Sequence, residues 1–228
     1  SNMTSGNLNK QRHLGALVAD YLGQSGVEAV KLEAACGSAG SAMRQGILAV
    51  ASGEMEAVLV IGVEKMTDTG LSQTTTALAT AADADYEIIH GVTFVGLNAL
   101  IMRRYMHEFG WKHEDFAPFS INSHANAMHN PYARLHEKIS VEKFEKSAMV
   151  ATPINLLDAS PIGDGAAALV IVAYEEQNRH DDRLVSIAGS ASATDTLALH
   201  DRPELLWLSA AEKSSRNAYE QAGIQLED

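Results

Sequence analysis

The hydrophobic and polar positions of the chain follow two kinds of pattern. Continuous apolar runs at 57–62 and 166–173 are typical of β-strands that are buried on both faces. Other segments carry apolar residues three and four positions apart, which predicts helices. The predicted helices span 41–52, 97–109, 114–129 and 201–223, and shorter strands are predicted at 29–33 and 184–190. Strands that alternate with helices, and that look parallel and buried, indicate an α/β layered fold.

Local signals set the boundaries of these elements. Gly53 follows the first helix, as expected of a residue that ends a helix in the left-handed conformation. Gly110 and Trp111 separate two helices, and the run from Asp201 to Glu204, with its early proline, resembles a helix start. The periodicity is looser over 64–150, which predicts an inserted, mainly helical subdomain.

The amino-acid composition limits the classes of protein to which the chain can belong. The chain has 228 residues, 46% of them hydrophobic, which is enough to bury a substantial core. A single cysteine leaves no internal disulfide, and with no visible signal peptide this predicts a cytoplasmic location. No apolar run approaches the ~20 residues of a membrane span. The formal net charge of −12 argues against nucleic acid as a partner.

The charge is unevenly distributed. Residues 101–146 hold seven of the 17 basic residues and six acidic ones, so this segment is near +1 and the remainder near −13. An anionic ligand is better received by this segment than by the rest of the chain. The alternative is a solvated helical face of mixed charge. The nine histidines show no pair at metal-ligand spacing with a third ligand, so no metal site is predicted.

Cys36 is the candidate for covalent chemistry. It lies between a predicted strand and a predicted helix, and Gly37 and Gly40 leave room beside its sulfur. A thiol at a helix start faces unpaired backbone N–H groups and the positive end of the helix dipole, a setting that favours the reactive thiolate. From spacing alone, a small buried apolar side chain is an equally good interpretation of a lone cysteine.

Three segments decide between these interpretations by resemblance. The segment 33–40 (EAACGSAG) resembles the nucleophile segment of thiolases. The segment 62–68 (GVEKMTD) is similar to the Gly-x-Glu-x-Met motif that follows it in that family, and 158–168 (DASPIGDGAAA) resembles the segment that closes the family's N-terminal half. Order and spacing also agree, and the likeness runs from residue 2 to about 223. The sequences at 90–94 and 193–197 most resemble those of the archaeal and sterol-carrier-type thiolases.

The resemblance implies a layered αβαβα thiolase-like fold. In it, 1–63 and 151–178 form part of the N-terminal half, 64–150 form an inserted loop subdomain, and 179–228 begin the C-terminal half. It also implies that the strand at 29–33 pairs with its copy in a second subunit, giving a homodimer or a tetramer.

The implied activity is that of an acyltransferase that forms or cleaves a 3-ketoacyl-CoA, such as acetyl-CoA C-acetyltransferase, without a prosthetic group. Cys36 would carry the acyl group, and its backbone N–H would form part of an oxyanion hole. Coenzyme A is expected under the inserted subdomain, where Arg134, Lys138 and Lys143 would meet its phosphates. Ser190, or alternatively Ser192, lies where thiolases place a serine near the pantetheine arm.

Departures from the family pattern leave a second hypothesis open. The sequence has no Gly-His-Pro motif and no second cysteine, so it resembles a partial thiolase that lacks both ends and is expected to be inactive alone. A catalytically dead thiolase-like subunit that binds coenzyme A or scaffolds a partner is the alternative. Ketoacyl synthases and hydroxymethylglutaryl-CoA synthase share the fold and the cysteine, but the Gly-Val-Glu-Lys-Met motif favours a thiolase.

Overall fold

The computed structural model describes residues 1–174 and 185–226. Within them the chain forms two compact units. The first contains Ser1–Gly70, Asp164–Asp195 and Leu208–Asp228, and the second contains Leu71–Gly163 and Thr196–Trp207. The finer domain boundaries expected at 63 and 150 stay predictions, and the boundary expected at 178 falls outside the described residues.

The first unit is built around one helix that packs on a β-sheet. Its elements are α1 (Ser5–Leu8), α2 (Leu14–Tyr21), α3 (Ser38–Ala51), β1 (Ala57–Glu64), a strand at Gly165–Val172 and a helix at Ser209–Ala222. Ala42 and Val50 of α3 pack with Val60 and Ile171 of the sheet to form the buried core of this unit. Gly53 has φ +81°, so the predicted end of α3 is confirmed. The helix begins at Ser38, three residues before the predicted start.

The first unit's sheet runs antiparallel, whereas the sequence suggested parallel-type strands. Ala57 lies opposite Val172, and Glu64 lies opposite Gly165 at the other end. The reason is connectivity: the chain leaves the end of β1, builds most of the second unit, and returns to the first at Asp164, beside the point where it left. A strand that starts at the end where its neighbour stopped must run in the opposite direction.

One face of this sheet is exposed, so burial on both faces was a wrong expectation for the described residues. Val58, Val60 and Ile171 face Gly46 of α3, whose Cβ position lies 3.1–3.2 Å from their side chains. Side chains alternate along a strand, so Leu59 and its partner Val170 point to the opposite face. Val170 is 65% exposed, because no described element covers this face.

The second unit is mainly helical. Its elements are α4 (Leu71–Ala79), α5 (Phe94–Phe109), α6 (Ala117–Ala127), α7 (Val141–Glu145), β2 (Met149–Ala151) and β3 (Ile154–Asn155), with short 3-10 turns at Ile88–His90, His113–Phe116 and Leu199–Asp201. In chain order the strand Gly165–Val172 is β4 and the helix Ser209–Ala222 is α8. The Thr93 hydroxyl accepts a hydrogen bond from Gly96 N–H at 3.0 Å and begins α5. Gly110, at φ +68°, ends it, which confirms the predicted break.

Two predicted helix starts are wrong because of proline. The segment predicted as one helix at 114–129 has a 3-10 turn first, and α6 begins at Ala117, with Pro118 in its first turn. Proline is favoured there because the first-turn N–H groups have no partner within the helix. The last helix begins at Ser209 instead of 201, since Arg202 precedes Pro203 and takes an extended conformation with ψ 124°.

The two short strands are not formed among the described residues. Residues 29–33 belong to no strand, and the backbone of Val30 lies 2.8 Å from the Cβ position of Gly15 in α2. A strand needs a hydrogen-bonded partner, and the expected partner of 29–33 is a second subunit. Residues 185–190 also form no strand, and position 184 lies outside the described residues. Among the described residues, no helix is long and apolar enough to cross a membrane.

Candidate functional site

Cys36 is exposed and lies two residues before the first residue of α3. The burial expected from a purely structural cysteine is therefore absent. At Gly40, one turn further along, nothing lies within 4 Å of the position that a Cβ would take. The thiol is therefore accessible at the N-terminal end of a 14-residue helix, as the nucleophile interpretation requires.

The residue before the cysteine has an unusual backbone. Ala35 has φ +48°, in the left-handed region that residues with a Cβ seldom adopt. The turn is closed by Gly37 N–H, which donates to the Ala34 carbonyl at 2.9 Å. Such a conformation persists only where its surroundings impose it.

Two side chains hold this turn. The Ser38 hydroxyl accepts a hydrogen bond from Ala34 N–H at 2.9 Å and donates one to the Ala35 carbonyl at 2.6 Å. The Glu33 carboxylate accepts a hydrogen bond from Ala35 N–H. Neither role was predicted from the sequence. A serine two residues after a candidate nucleophile, at a helix start, is the signal that would have pointed to one of them.

Ser190 lies in the same unit as Cys36, and its backbone is fixed at both polar atoms. Its N–H donates to the Gln221 side chain of α8 at 3.1 Å, and its carbonyl accepts a hydrogen bond from the Arg44 guanidinium of α3. The segment around Ser190 is thereby tied to the helix that follows Cys36. The hydrogen bond from Arg44 to the Ser190 carbonyl was not predicted from the sequence.

The three candidate phosphate-binding cations lie in the second unit. Arg134, Lys138 and Lys143 are exposed, the first two in the segment between α6 and α7 and the third in α7. The Lys143 ammonium group is 2.8 Å from the Glu137 carboxylate. The hydrogen bond from Lys143 lowers the pKa of Glu137 below its ordinary value. A phosphate that binds Lys143 would have to compete with Glu137.

A helix packed on a sheet, with an exposed thiol at the helix start, makes this an α/β protein with a candidate covalent nucleophile. The chain belongs to the thiolase family, because the family model described as "Thiolase, N-terminal domain" matches residues 2–175. The family predicted from the three sequence segments is thus confirmed.

Curated relatives agree with this assignment. The chain is 43% identical to an acetyl-CoA acetyltransferase of Methanothermobacter thermautotrophicus over 98% of its own length and 58% of the relative's. It is 39% identical to an acetyl-CoA acetyltransferase of Methanocaldococcus jannaschii, again over 58% of that protein. The chain therefore spans a little over half the length of these curated relatives, which confirms the likeness to a partial thiolase.

The predicted fold class is also confirmed. A solved structure titled "Ltp2-ChsH2(DUF35) aldolase" superposes with a TM-score of 0.69 over 92% of this chain and 56% of that one, at 24% identity.

Proposed function

We propose that this chain carries the nucleophile of a thiolase-type acyltransferase, of the acetyl-CoA C-acetyltransferase kind, which forms or cleaves a 3-ketoacyl-CoA. One observation carries the proposal: Cys36, inside the segment that resembles the family's nucleophile motif, is exposed two residues before the start of α3. Thioester exchange needs a thiol that an acyl-CoA can reach.

In the proposed first step, the Cys36 thiolate attacks the carbonyl carbon of an acyl-CoA. A bond forms between this sulfur and the acyl carbon, the bond from that carbon to the sulfur of coenzyme A breaks, and coenzyme A leaves as a thiolate that takes up a proton. The Cys36 N–H would stabilise the negative charge on the carbonyl oxygen. In the second step, an acyl-CoA deprotonated at its α-carbon attacks the Cys36 thioester and releases the thiolate.

Coenzyme A is the proposed cosubstrate. The observations that support phosphate binding by Arg134, Lys138 and Lys143 are their exposure and their place in the segment 101–146, which is near +1 in a chain of net charge −12. Ser190 is proposed to approach the pantetheine arm, and its fixed backbone would hold its hydroxyl in place.

The proposal extends to assembly. A homodimer, or a tetramer built from dimers, is proposed with 29–33 at the two-fold axis. Val30 is 64% exposed, which supports the proposal that residues 29–33 are accessible for pairing with a strand of a second subunit. Light scattering of the full-length protein should show a dimer or tetramer, and a monodisperse monomer would contradict it. The cytoplasmic location and the lack of a prosthetic group stay predictions.

Mass spectrometry of the full-length protein tests the nucleophile. Incubation with acetyl-CoA should add one acetyl group to the peptide that contains Cys36, and Cys36→Ser should abolish the adduct. Circular dichroism of this variant should match that of the wild type, since the side chain is exposed. An acetyl group that persists in Cys36→Ser would contradict the assignment of Cys36 as the nucleophile. Coenzyme A binding without any adduct in the wild type would favour the catalytically dead subunit.

A further inference from the structure

We propose that Ser38 is a positioning residue for the nucleophile: its hydroxyl fixes the peptide group that joins Ala35 to Cys36. The inference rests on the proposed role of Cys36 and adds a residue that acts on it without touching the substrate. It comes from the hydrogen bonds of the turn 33–38.

The turn before Cys36 contains a backbone conformation that costs free energy. Ala35 at φ +48° is destabilised relative to an ordinary conformation by about 1 kcal/mol, because its Cβ crowds the backbone. The helix that follows does not supply a side-chain cap, since its N-cap residue is Gly37. Without other contacts, the chain before α3 would relax toward a conformation with negative φ at Ala35.

The Ser38 hydroxyl bridges two backbone groups of this turn. This side chain is 5% exposed, and its single oxygen joins the N–H of Ala34 to the carbonyl of Ala35. The Ala35 carbonyl also accepts from Ser38 N–H at 3.1 Å. Two donors from the same residue therefore hold one carbonyl, and the hydroxyl bond is short and shielded from water.

The Ala35 carbonyl belongs to the same peptide group as the Cys36 N–H. In a planar trans peptide, the C=O and the following N–H point in opposite directions. The Ala35–Cys36 bond is of this kind, since the only cis bond in the described residues is at Pro153. Because Ser38 holds the Ala35 carbonyl toward α3, it also sets the direction of the Cys36 N–H. That N–H is the proposed oxyanion donor, whose alignment a shift of about 1 Å would spoil.

The experiment compares two reactions of the same thiol in the full-length protein. Acetylation by acetyl-CoA needs the oxyanion donor, whereas alkylation by iodoacetamide displaces iodide at a saturated carbon and needs only an accessible thiolate. Rates of both are measured by mass spectrometry for Ser38→Thr and Ser38→Val, which have the same shape and differ in the hydroxyl. Ser38→Ala provides a variant without added bulk, and Ser41→Ala of α3 is the control outside the turn.

The expected result is a selective loss. Ser38→Val and Ser38→Ala should lower the acetylation rate by about tenfold to a hundredfold, in the range set by misaligned oxyanion donors. Their alkylation rates should stay within about threefold of the wild type, and Ser38→Thr and Ser41→Ala should retain acetylation. Circular dichroism of each variant should match that of the wild type, which excludes general unfolding; the alkylation rate alone does not report unfolding, because Cys36 is already exposed in the folded protein.

Two outcomes would overturn the role of Ser38. One is an acetylation rate in Ser38→Ala equal to that of the wild type. The other is an equal fall of the acetylation and alkylation rates in Ser38→Ala, together with loss of acetylation in Ser38→Thr. Failure of the proposed function looks different: the wild type itself would form no acetyl adduct at Cys36, while iodoacetamide would still alkylate it.

Discussion

The Asp164 carboxylate accepts a hydrogen bond from the Thr67 hydroxyl at 2.6 Å. It also accepts bonds from the N–H groups of Met66, at 2.7 Å, and of Thr67, at 3.0 Å. These bonds lie just beyond the last residue pair of the sheet, Glu64 and Gly165. They therefore join the two chain segments at the point where the chain leaves the first unit and returns to it.

Acid should weaken this junction. The Thr67 hydroxyl bond, followed by the Met66 N–H bond, lowers the pKa of Asp164 below its ordinary value of 3.8. Because the pKa is lower in the folded state, the stabilisation is fully present above pH 3.8 and is lost as the pH falls toward the folded-state value. We expect Asp164→Asn to lower the urea midpoint at pH 7, and this difference from wild type to shrink below pH 3.8.

A matched control lies in the same loop. Asp68→Asn makes the same chemical change, but Asp68 forms only an exposed pair with Lys65, and such pairs contribute little. Its midpoint at pH 7 should stay close to that of the wild type. Equal midpoints for Asp164→Asn and wild type across the whole pH range would show that the junction does not stabilise the fold.

Two glycines of α3 should respond in opposite directions to the same substitution. At Gly46, a Cβ would lie 3.1 Å from Val60 and 3.2 Å from Ile171, so Gly46→Ala should destabilise the protein by about 1–3 kcal/mol through overpacking. At Gly40 the space is open, so Gly40→Ala should stabilise the helix by up to about 1 kcal/mol. Urea unfolding of both variants measures the difference, and equal effects would contradict the close packing of α3 on the sheet.

The sequence predicted the elements whose signals are local. The apolar runs predicted β1 and β4 to within two residues. The periodicity predicted helices α3 and α5, and Gly53 and Gly110 marked their C-terminal ends directly. The family and its fold followed from three short segments. Cys36 was located by its motif, and the structure adds its exposure.

The rest depended on contacts between distant residues or on a backbone conformation that the residue type does not signal. Antiparallel pairing of β1 with β4 follows from where the second unit is inserted, and no pattern within either strand encodes it. The Ser38 bridge depends on the conformation of Ala35, a residue type that gives no signal for positive φ. The hydrogen bond from Arg44 to Ser190 joins positions 146 apart in sequence.

Coenzyme A affinity should depend on the proposed cation cluster. Charge reversal of Arg134, Lys138 and Lys143 together should weaken coenzyme A binding to the full-length protein and make it less sensitive to salt, since phosphate contacts are screened by ions. Calorimetry at two salt concentrations measures both quantities.

The control for that experiment reverses three other cations of the second unit. Arg103, Arg104 and Lys112 are exposed, and reversing them changes the net charge by the same amount. This control should keep most of the affinity. If both triple variants bind alike, the effect is one of overall charge, and the cluster is a solvated face.

Glu87 should hold the segment 196–207 in the second unit. Its carboxylate, in a side chain only 6% exposed, accepts hydrogen bonds from Leu199 N–H at 2.8 Å and from Asp83 N–H at 3.0 Å. Removing an acceptor from a buried N–H costs about 1–3 kcal/mol, so Glu87→Ala should raise the hydrogen-exchange rate of the Leu199 amide by about tenfold or more. Glu87→Gln, which keeps one carbonyl oxygen, should have a smaller effect.

Hydrogen exchange followed by mass spectrometry resolves this segment from the rest of the chain. Glu204→Ala removes an exposed carboxylate from the same segment and should leave the exchange of Leu199 unchanged. The ring of His200 lies 5.0 Å from that of Tyr86, and this contact would remain as a second tie in Glu87→Ala. Residues 196–207 connect two parts of the first unit along the chain. If Glu87→Ala loosens this segment, faster hydrogen exchange should appear at 196–207 before it appears in α3. Unchanged exchange at Leu199 in Glu87→Ala would mean that the ring contact alone is sufficient to hold the segment.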